Sequence, residues 1–325
     1  MSPALRRTVD QLHPGLARMA GFTFGWLDAD GTPCAGETGK GLRPALAVLA
    51  AEAVGAPAES AVPGAVAVEL VHAFSLVHDD IMDGDEKRRH RDTLWKAFGI
   101  GGAVLAGDAL LALAMDVLAT AAYPRGNTAM NLLSTTLIEL VNGQADDVGF
   151  EERPWLGANA VTVEEYLTMV GNKTGALLGC AMGLGALLGG GSLDAVGTLS
   201  QLGRDLGVAF QAVDDLLGIW GDPLVTGKPV FNDLRQRKKT LPVVRALAGE
   251  GARAERIVAL VREGDEVSLR RAADLIDDAG GRSATEQLAD EFLARARQTI
   301  DTWSVDGAAA AELTEAAEFI VNRAH

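Results

Sequence analysis

Apolar residues recur at helical spacing along almost the whole of this 325-residue chain. Glycine, proline and aspartate break the pattern into roughly a dozen segments. Two of them, PALAVLAAEAV at 44–54 and AVAVELVHAFSLVHDD at 65–80, are apolar on nearly every face. A helix of that kind has to be surrounded by other helices, so these two segments predict the centre of a large all-α bundle. No segment alternates apolar and polar residues convincingly, and no strand is expected. The C-terminal third, including REGDEVSLRRAADLIDDAGG and ATEQLADEFLARARQTI, is charged on one side only and predicts outer helices that cover the core. With no linker in sight, one domain is the expectation.

Composition narrows the function. The formal charge of −15 and a pI near 4.8 argue against nucleic-acid binding, which needs a basic surface. Cys34 and Cys180 are too few and too far apart in sequence for a disulfide framework or a cysteine metal site. The opening MSPALRRTVDQLHPGLARM carries Asp10 and His13 where a secretory leader would be apolar, and a cytoplasmic location is expected. Thr174 to Leu193 holds no charge, but Gly175, Gly179, Gly183, Gly185 and the run 189–191 make it weakly hydrophobic. A tightly packed core helix is expected there rather than a membrane span.

Adjacent aspartates occur at 79/80, 146/147, 214/215 and 277/278, so a pair alone is a modest signal. Asp277-Asp278 precedes Ala279-Gly280-Gly281 and reads as an exposed helix end. Asp79-Asp80 closes a long apolar helix, and Asp83 follows one turn after Asp79 on the same face. Carboxylates gathered beside apolar surface need a cation or other partners, and for a cation oxygen-only ligands point to Mg²⁺ completed by phosphate oxygens and water. Asp214-Asp215 repeats the arrangement after LGVAFQAV, with Asp222 two turns on. Two such clusters, if they face one another, make a cage for several Mg²⁺ ions and a diphosphate.

Cations accompany the acids. Lys87-Arg88-Arg89-His90-Arg91 follows Asp83 directly, and Gly39-Lys40-Gly41-Leu42-Arg43-Pro44 places two cations at a proline-started helix, where anions are favoured. Each alone reads equally well as a solvated loop; beside the acidic cluster they read as diphosphate ligands. Lys173, Lys228 and Lys238 are individually weak signals.

In this order the signals resemble the trans-isoprenyl diphosphate synthases, or polyprenyl synthetases, from about Met19 onward. They are GKGLRP at 39–44, ELVHAFSLVHDDIMD at 69–83, RRHRDT at 88–93, LAGDALL at 105–111, GQADDV at 143–148, KT at 173, FQAVDDLLGIWGD at 210–222 and GKPVFNDLRQRKKTLP at 227–242. The resemblance implies one all-α isoprenoid-synthase bundle over 1–325 with a central active-site cavity, residues 1–18 peripheral and 245–325 forming outer helices. It implies that Asp79, Asp80, Asp83 and Asp214, supported by Asp215, bind Mg²⁺, three ions in all, on an allylic diphosphate. Arg88, Lys173 and Lys228 would hold that diphosphate, while Lys40, Arg43, His72 and Arg89 would hold isopentenyl diphosphate. Thr174 and Gln211 would turn oxygen dipoles toward the allylic cation, and Lys238 would help close the site. A homodimer without a membrane span or nucleic-acid partner is implied as well. Phe74 and Ser75, five and four residues before Asp79, resemble the floor of enzymes that stop at geranylgeranyl diphosphate.

Three positions depart from the family pattern. Gly218 stands where the second aspartate-rich motif usually has its third aspartate, leaving Asp222 as the downstream substitute; Asp92 replaces a proline and Arg237 a glycine. The Gly218 change and Asp222 faintly resemble the second metal motif of class I terpene cyclases, the alternative reading. Lys40, Arg43 and His72 form a second diphosphate set that a cyclase would not need. A non-catalytic subunit is disfavoured by the intact Asp79, Asp80, Asp83, Arg88, Arg89, Lys173 and Asp214.

Overall fold

The computed structural model describes residues 2–34, 41–88, 91–121, 126–223, 227, 229–249, 251–303 and 307–321. These group into two compact units, one of 1–135, 180–200 and 305–309, the other of 136–179, 201–304 and 310–325. The expected all-α class is what folds. In chain order the helices are α1 (Ser2–Val9), α2 (Pro14–Thr23), α3 (Leu42–Ala53), α4 (Val62–Met82), α5 (Leu94–Thr120), α6 (Gly126–Glu152), α7 (Val163–Val170), α8 (Ala176–Leu188), α9 (Leu193–Trp220), α10 (Asn232–Arg235), α11 (Leu241–Leu247), α12 (Ala252–Glu263), α13 (Glu266–Asp278), α14 (Gly281–Thr302) and α15 (Gly307–Val321).

The first unit is organised by α4, which packs along α3 and α5. Ala65 to Val68, Leu70 and Val71 are shut off from solvent, as a helix apolar on every face requires. Val77 of α4 joins Phe22 of α2 and Leu94, Ala103 and Ala106 of α5 in one apolar cluster. Leu5 and Val9 are buried too, which anchors the N-terminal helix. Gly99 bends α5 by taking φ 78°, a left-handed angle that suits a residue without Cβ. The uncharged stretch from 176 to 188 is α8, buried along its length, and its thirteen residues fall short of the ~20 needed to span a bilayer. Small residues are essential to that burial. A Cβ on Gly185 would collide with the carbonyl oxygen of Ala47, and one on Gly64 would lie 3.0 Å from Leu184 Cβ.

One departure from the strand-free expectation lies just beyond α4. Lys87–Arg88 (β1) and Arg91–Asp92 (β2) pair antiparallel, with Lys87 opposite Asp92 and Arg88 opposite Arg91. Two-residue strands carry no alternation for a sequence to display, and Thr93 Oγ1 and Trp95 Nε1 fix the ribbon instead by donating to the Asp85 carbonyl at 2.8 and 2.9 Å.

The second unit holds two apolar clusters. Phe150, Tyr166, Met169, Val208, Ala212 and Val213 pack with Leu241 and Val244; Ile219, Phe231, Leu234 and Val243 pack with α12 and α13. A capping box starts α7: Thr162 Oγ1 accepts from Glu165 N–H at 3.2 Å while Glu165 Oε2 accepts from Thr162 N–H at 2.9 Å. Arg153 clamps the same Glu165, and these bonds hold its pKa down at about 2. Asp277 and Asp278 end α13 exposed to solvent, as read from the sequence.

The Ala47 carbonyl is backbone and cannot swing aside. Gly185→Ala is therefore expected to lower stability by about 1–3 kcal/mol through overpacking, even though alanine favours a helix by ~1 kcal/mol over glycine. An unchanged midpoint in urea unfolding would contradict this packing.

Candidate active site

The first acidic group sits at the end of α4. Asp83 N–H closes the helix by donating to the Asp79 carbonyl at 2.8 Å, and both side chains are half-buried. Asp80 points inward and is only 5% exposed. Burial raises its pKa above the ordinary carboxylate range, and the Arg88 guanidinium opposes that rise. Arg88 reaches back from β1 to place Nε 2.8 Å and Nη2 2.7 Å from Asp80 Oδ1. The ribbon thus returns a cation to the helix end that needs one. Arg43 lies in the first turn of α3 and His72 in the middle of α4, both half-buried. Lys40 and Arg89, expected beside them, lie outside the described residues. Phe74 is buried with its ring edge-on to His78 at 4.8 Å between centroids, and Ser75 Oγ donates to the His72 carbonyl at 2.9 Å.

The second group is built on α9. Asp214 and Asp215 point to opposite environments, because neighbours on a helix are separated by about 100°. Asp214 is exposed, whereas Asp215 is buried. Asp215, expected in a supporting role beside the metal ligands, has its carboxylate taken up by donors of the protein. Its Oδ2 accepts from Tyr166 Oη at 2.5 Å and from Leu241 N–H at 3.0 Å, while Oδ1 accepts from Gln211 Nε2 at 3.0 Å. Burial lifts its pKa to about 7 against the pull of those donors. Burial and the nearby Asp215 likewise push Tyr166 well above the ordinary tyrosine value. A carboxylate committed in this way positions its neighbours.

Gln211 and Thr174 were expected to act together and are joined directly, with Thr174 Oγ1 donating to Gln211 Oε1 at 3.0 Å. Thr174 and Lys173 lie in a π-turn, Gly171–Gly175, between α7 and α8. Such insertions gather at functional sites because the widened turn re-aims side chains. Gly207 makes room for it: a Cβ there would stand 2.6 Å from the Gly175 Cα. Lys173 Nζ donates to Asp147 Oδ2 at 2.6 Å, which gives the aspartate pair at 146/147 a function as a lysine anchor.

The segment 231–241 returns to α9. Phe231 N–H donates to the Ile219 carbonyl at 3.1 Å, and Lys238 N–H to the Asp233 carbonyl at 2.9 Å. Arg237 takes φ 59°, a left-handed angle that accounts for glycine as the usual residue there; its Nη2 donates to the Arg262 carbonyl at 3.2 Å. Lys239, not singled out from the sequence, donates to the Phe150 and Glu151 carbonyls at 2.6 and 3.1 Å and sits 5.0 Å over the Trp155 ring. Asp222 lies exposed beyond the end of α9, and Lys228 falls outside the described residues. Among the described residues, no three His, Cys, Asp or Glu side chains are gathered closely enough to hold a metal unaided.

The polyprenyl synthetase family model matches residues 26–276. A (2E,6E)-farnesyl diphosphate synthase of Mycobacterium tuberculosis is 44% identical, over 99% of this chain and 90% of that protein. A geranylgeranyl diphosphate synthase of the same species is 43% identical, over 89% of this chain and 82% of its own. The crystal structure of a polyprenyl synthetase from Streptomyces coelicolor A3(2) superposes with a TM-score of 0.92 at 48% identity, covering 98% of this chain and 96% of that one.

Tyr166→Phe removes a buried donor from Asp215 and leaves the ring in place. It is expected to cost about 1–3 kcal/mol, the penalty of an under-satisfied buried carboxylate. Loss of less than a few tenths of a kcal/mol in chemical denaturation would show that the hydroxyl is dispensable.

Proposed function

We infer that this chain, which belongs to the polyprenyl synthetase family and is a trans-prenyltransferase, condenses isopentenyl diphosphate with farnesyl diphosphate or a shorter allylic primer in a Mg²⁺-dependent reaction. The observation that carries the reading is the α4 end, where Asp79 and Asp83 stand beside a buried Asp80 clamped by Arg88. The donor chemistry fits Mg²⁺, because every candidate ligand is a carboxylate oxygen. Mg²⁺ needs only one or two of these when phosphate and water complete its shell, so a ready-made cluster of three is not required.

In this reading Asp79, Asp80, Asp83 and Asp214 would hold Mg²⁺, three ions in all, which would supply neutralisation of the diphosphate's charge. Arg88, Lys173 and Lys228 steady the diphosphate oxygens of the allylic substrate. Lys40, Arg43, His72 and Arg89 hold the diphosphate of isopentenyl diphosphate, and Lys238 helps close the site. The allylic C–O bond ionises, the isopentenyl double bond attacks the resulting cation, and a proton passes to the released diphosphate. Thr174 and Gln211, fixed by their mutual hydrogen bond, stabilise the cation with oxygen dipoles. Apolar surroundings keep water from quenching it.

A second copy of the chain is the proposed partner. Ile100 and Leu105 of α5 are 57% and 61% exposed, and Ile138 and Val141 of α6 are 63% and 53% exposed. On each of these helices, apolar side chains left in solvent are what another protein would cover. By composition alone α4 and α5 are long enough to cross a membrane. The buried residues of α4 identify it as a core helix, and the exposed face of α5 is assigned to the second copy.

Incubation with Mg²⁺ and farnesyl diphosphate is expected to give a longer prenyl diphosphate only when isopentenyl diphosphate is added. Product formed from farnesyl diphosphate alone would indicate a cyclase and overturn the reading. For chain length, Phe74 beneath the α4 acidic end is proposed as the floor that stops growth at geranylgeranyl diphosphate. Phe74→Ala is expected to shift the products by at least one isoprene unit; a distribution identical to wild type, or a wild type that stops at farnesyl diphosphate, would remove Phe74 from that role.

A further inference from the structure

The reaction inferred above makes no use of Lys239, yet its ammonium has three partners in the second unit. Nζ donates to the carbonyls of Phe150 at 2.6 Å and Glu151 at 3.1 Å, and it stands 5.0 Å over the Trp155 ring. Phe150 and Glu151 belong to the last turn of α6. Carbonyls there lack an intrahelical partner and carry the negative end of the helix dipole, so a cation reaching them from elsewhere in the chain caps the helix. Burial against these partners lowers the pKa of Lys239, as expected of an ammonium turned away from water.

Two neighbours give that cap a consequence for the site. Asp147, one turn earlier on α6, receives the Lys173 ammonium at 2.6 Å. Lys238 directly precedes Lys239 on a stretch outside any helix. That stretch is pinned at three points: Lys238 N–H to the Asp233 carbonyl at 2.9 Å, Lys239 Nζ to the end of α6, and Leu241 N–H to Asp215 Oδ2 at 3.0 Å. The two main-chain bonds hold it to its own loop and to α9, and the Lys239 side chain holds it to the helix that anchors Lys173.

We propose that Lys239 is a positioning residue: by gripping the C-terminal end of α6 it fixes Lys238 relative to Lys173, so that Lys238 closes on the allylic diphosphate that Lys173 holds. This rests on the function inferred above.

The test is steady-state kinetics with Mg²⁺, isopentenyl diphosphate and varied farnesyl diphosphate, with rates referred to folded enzyme measured by circular dichroism. A general loss of folded protein lowers kcat and leaves KM alone, whereas a displaced Lys238 raises KM. Lys239→Met keeps the stem and removes the charge; it is expected to raise KM for farnesyl diphosphate about tenfold or more, on the scale of a ~1 Å misplacement. Lys239→Arg can still donate to both carbonyls and should stay within about threefold of wild type. In Lys238→Ala the positioned group is gone, so adding Lys239→Met should change KM by less than about twofold, as for two residues that act through one contact. Should Lys239→Met not fold, Lys239→Gln, which keeps an amide donor without the charge, is judged by the same criteria. A wild type that makes no longer product when isopentenyl diphosphate is added overturns the inferred function itself. With an active wild type, the positioning role is wrong if KM is unchanged in Lys239→Met, if arginine is no better than methionine, if Lys238→Ala has wild-type kinetics, or if Lys239→Met costs as much in the Lys238→Ala background as alone.

Discussion

The buried carboxylate of Asp215 is the constraint around which the second unit is arranged. An ionisable group shut away from water is tolerated only with hydrogen-bond donors on it. Asp215 draws those donors from three places: Tyr166 on α7, Gln211 one turn back on α9, and the main chain of Leu241 at the start of α11. Each bond fixes an element that carries a candidate site residue. Tyr166 lies in the helix that leads into the π-turn presenting Lys173 and Thr174; Gln211 is oriented so that its oxygen meets Thr174. Leu241 closes the segment that brings back Asp233 and Lys238. Because Asp215 turns inward, its neighbour Asp214 is left on the exposed side of the same helix.

Close packing supplies the rigidity such a network needs. In the second unit Gly203 would place a Cβ 2.5 Å from the Leu178 carbonyl oxygen, and Gly207 would press on Gly175. Backbones that approach so closely leave little freedom for the π-turn to drift, so Lys173 and Thr174 keep fixed positions relative to Gln211. In the first unit the same device sets α8 against α3, and the apolar α4 runs through the middle with its acidic end emerging. Along this single helix Ala65 to Val68, Leu70 and Val71 supply the core, and the acidic residues Asp79, Asp80 and Asp83 gather at its end.

Much of this was legible in the sequence because helical periodicity and apolar runs are local signals. The all-α class, the burial of most apolar residues in 65–80, the core placement of the uncharged stretch after Thr174, and the exposed end at Asp277-Asp278 all follow from residues within a few turns of one another. What was missed depends on distance along the chain. The β1–β2 ribbon is too short to show alternation. The inward direction of Asp215 is set by Tyr166, forty-nine residues earlier, and by Leu241, twenty-six later. The π-turn at Gly171–Gly175 leaves no periodic trace in so glycine-rich a stretch.

Position 218 shows how a change in a motif on one helix is tied to a residue elsewhere in the chain. A pattern read along α9 records an aspartate replaced by glycine and looks for a substitute a little further along the chain, which leads to Asp222 beyond the helix end. In space, however, a Cβ at Gly218 would meet the carboxylate of Asp233, fifteen residues on and beyond the end of α9. The glycine then has a positive role. It removes the atoms that would keep Asp233 away, just as Gly207 removes those that would keep Gly175 away. The left-handed angle at Arg237 belongs to the same return of the chain: with φ 59° it costs about 1–2 kcal/mol where glycine would cost nothing. A bond from its guanidinium to the Arg262 carbonyl offsets part of that cost and ties the turn to α12. Gly218 and Arg237 therefore depart from the family pattern at opposite ends of one segment, the first by making space and the second by accepting strain, and both leave Asp233 against α9.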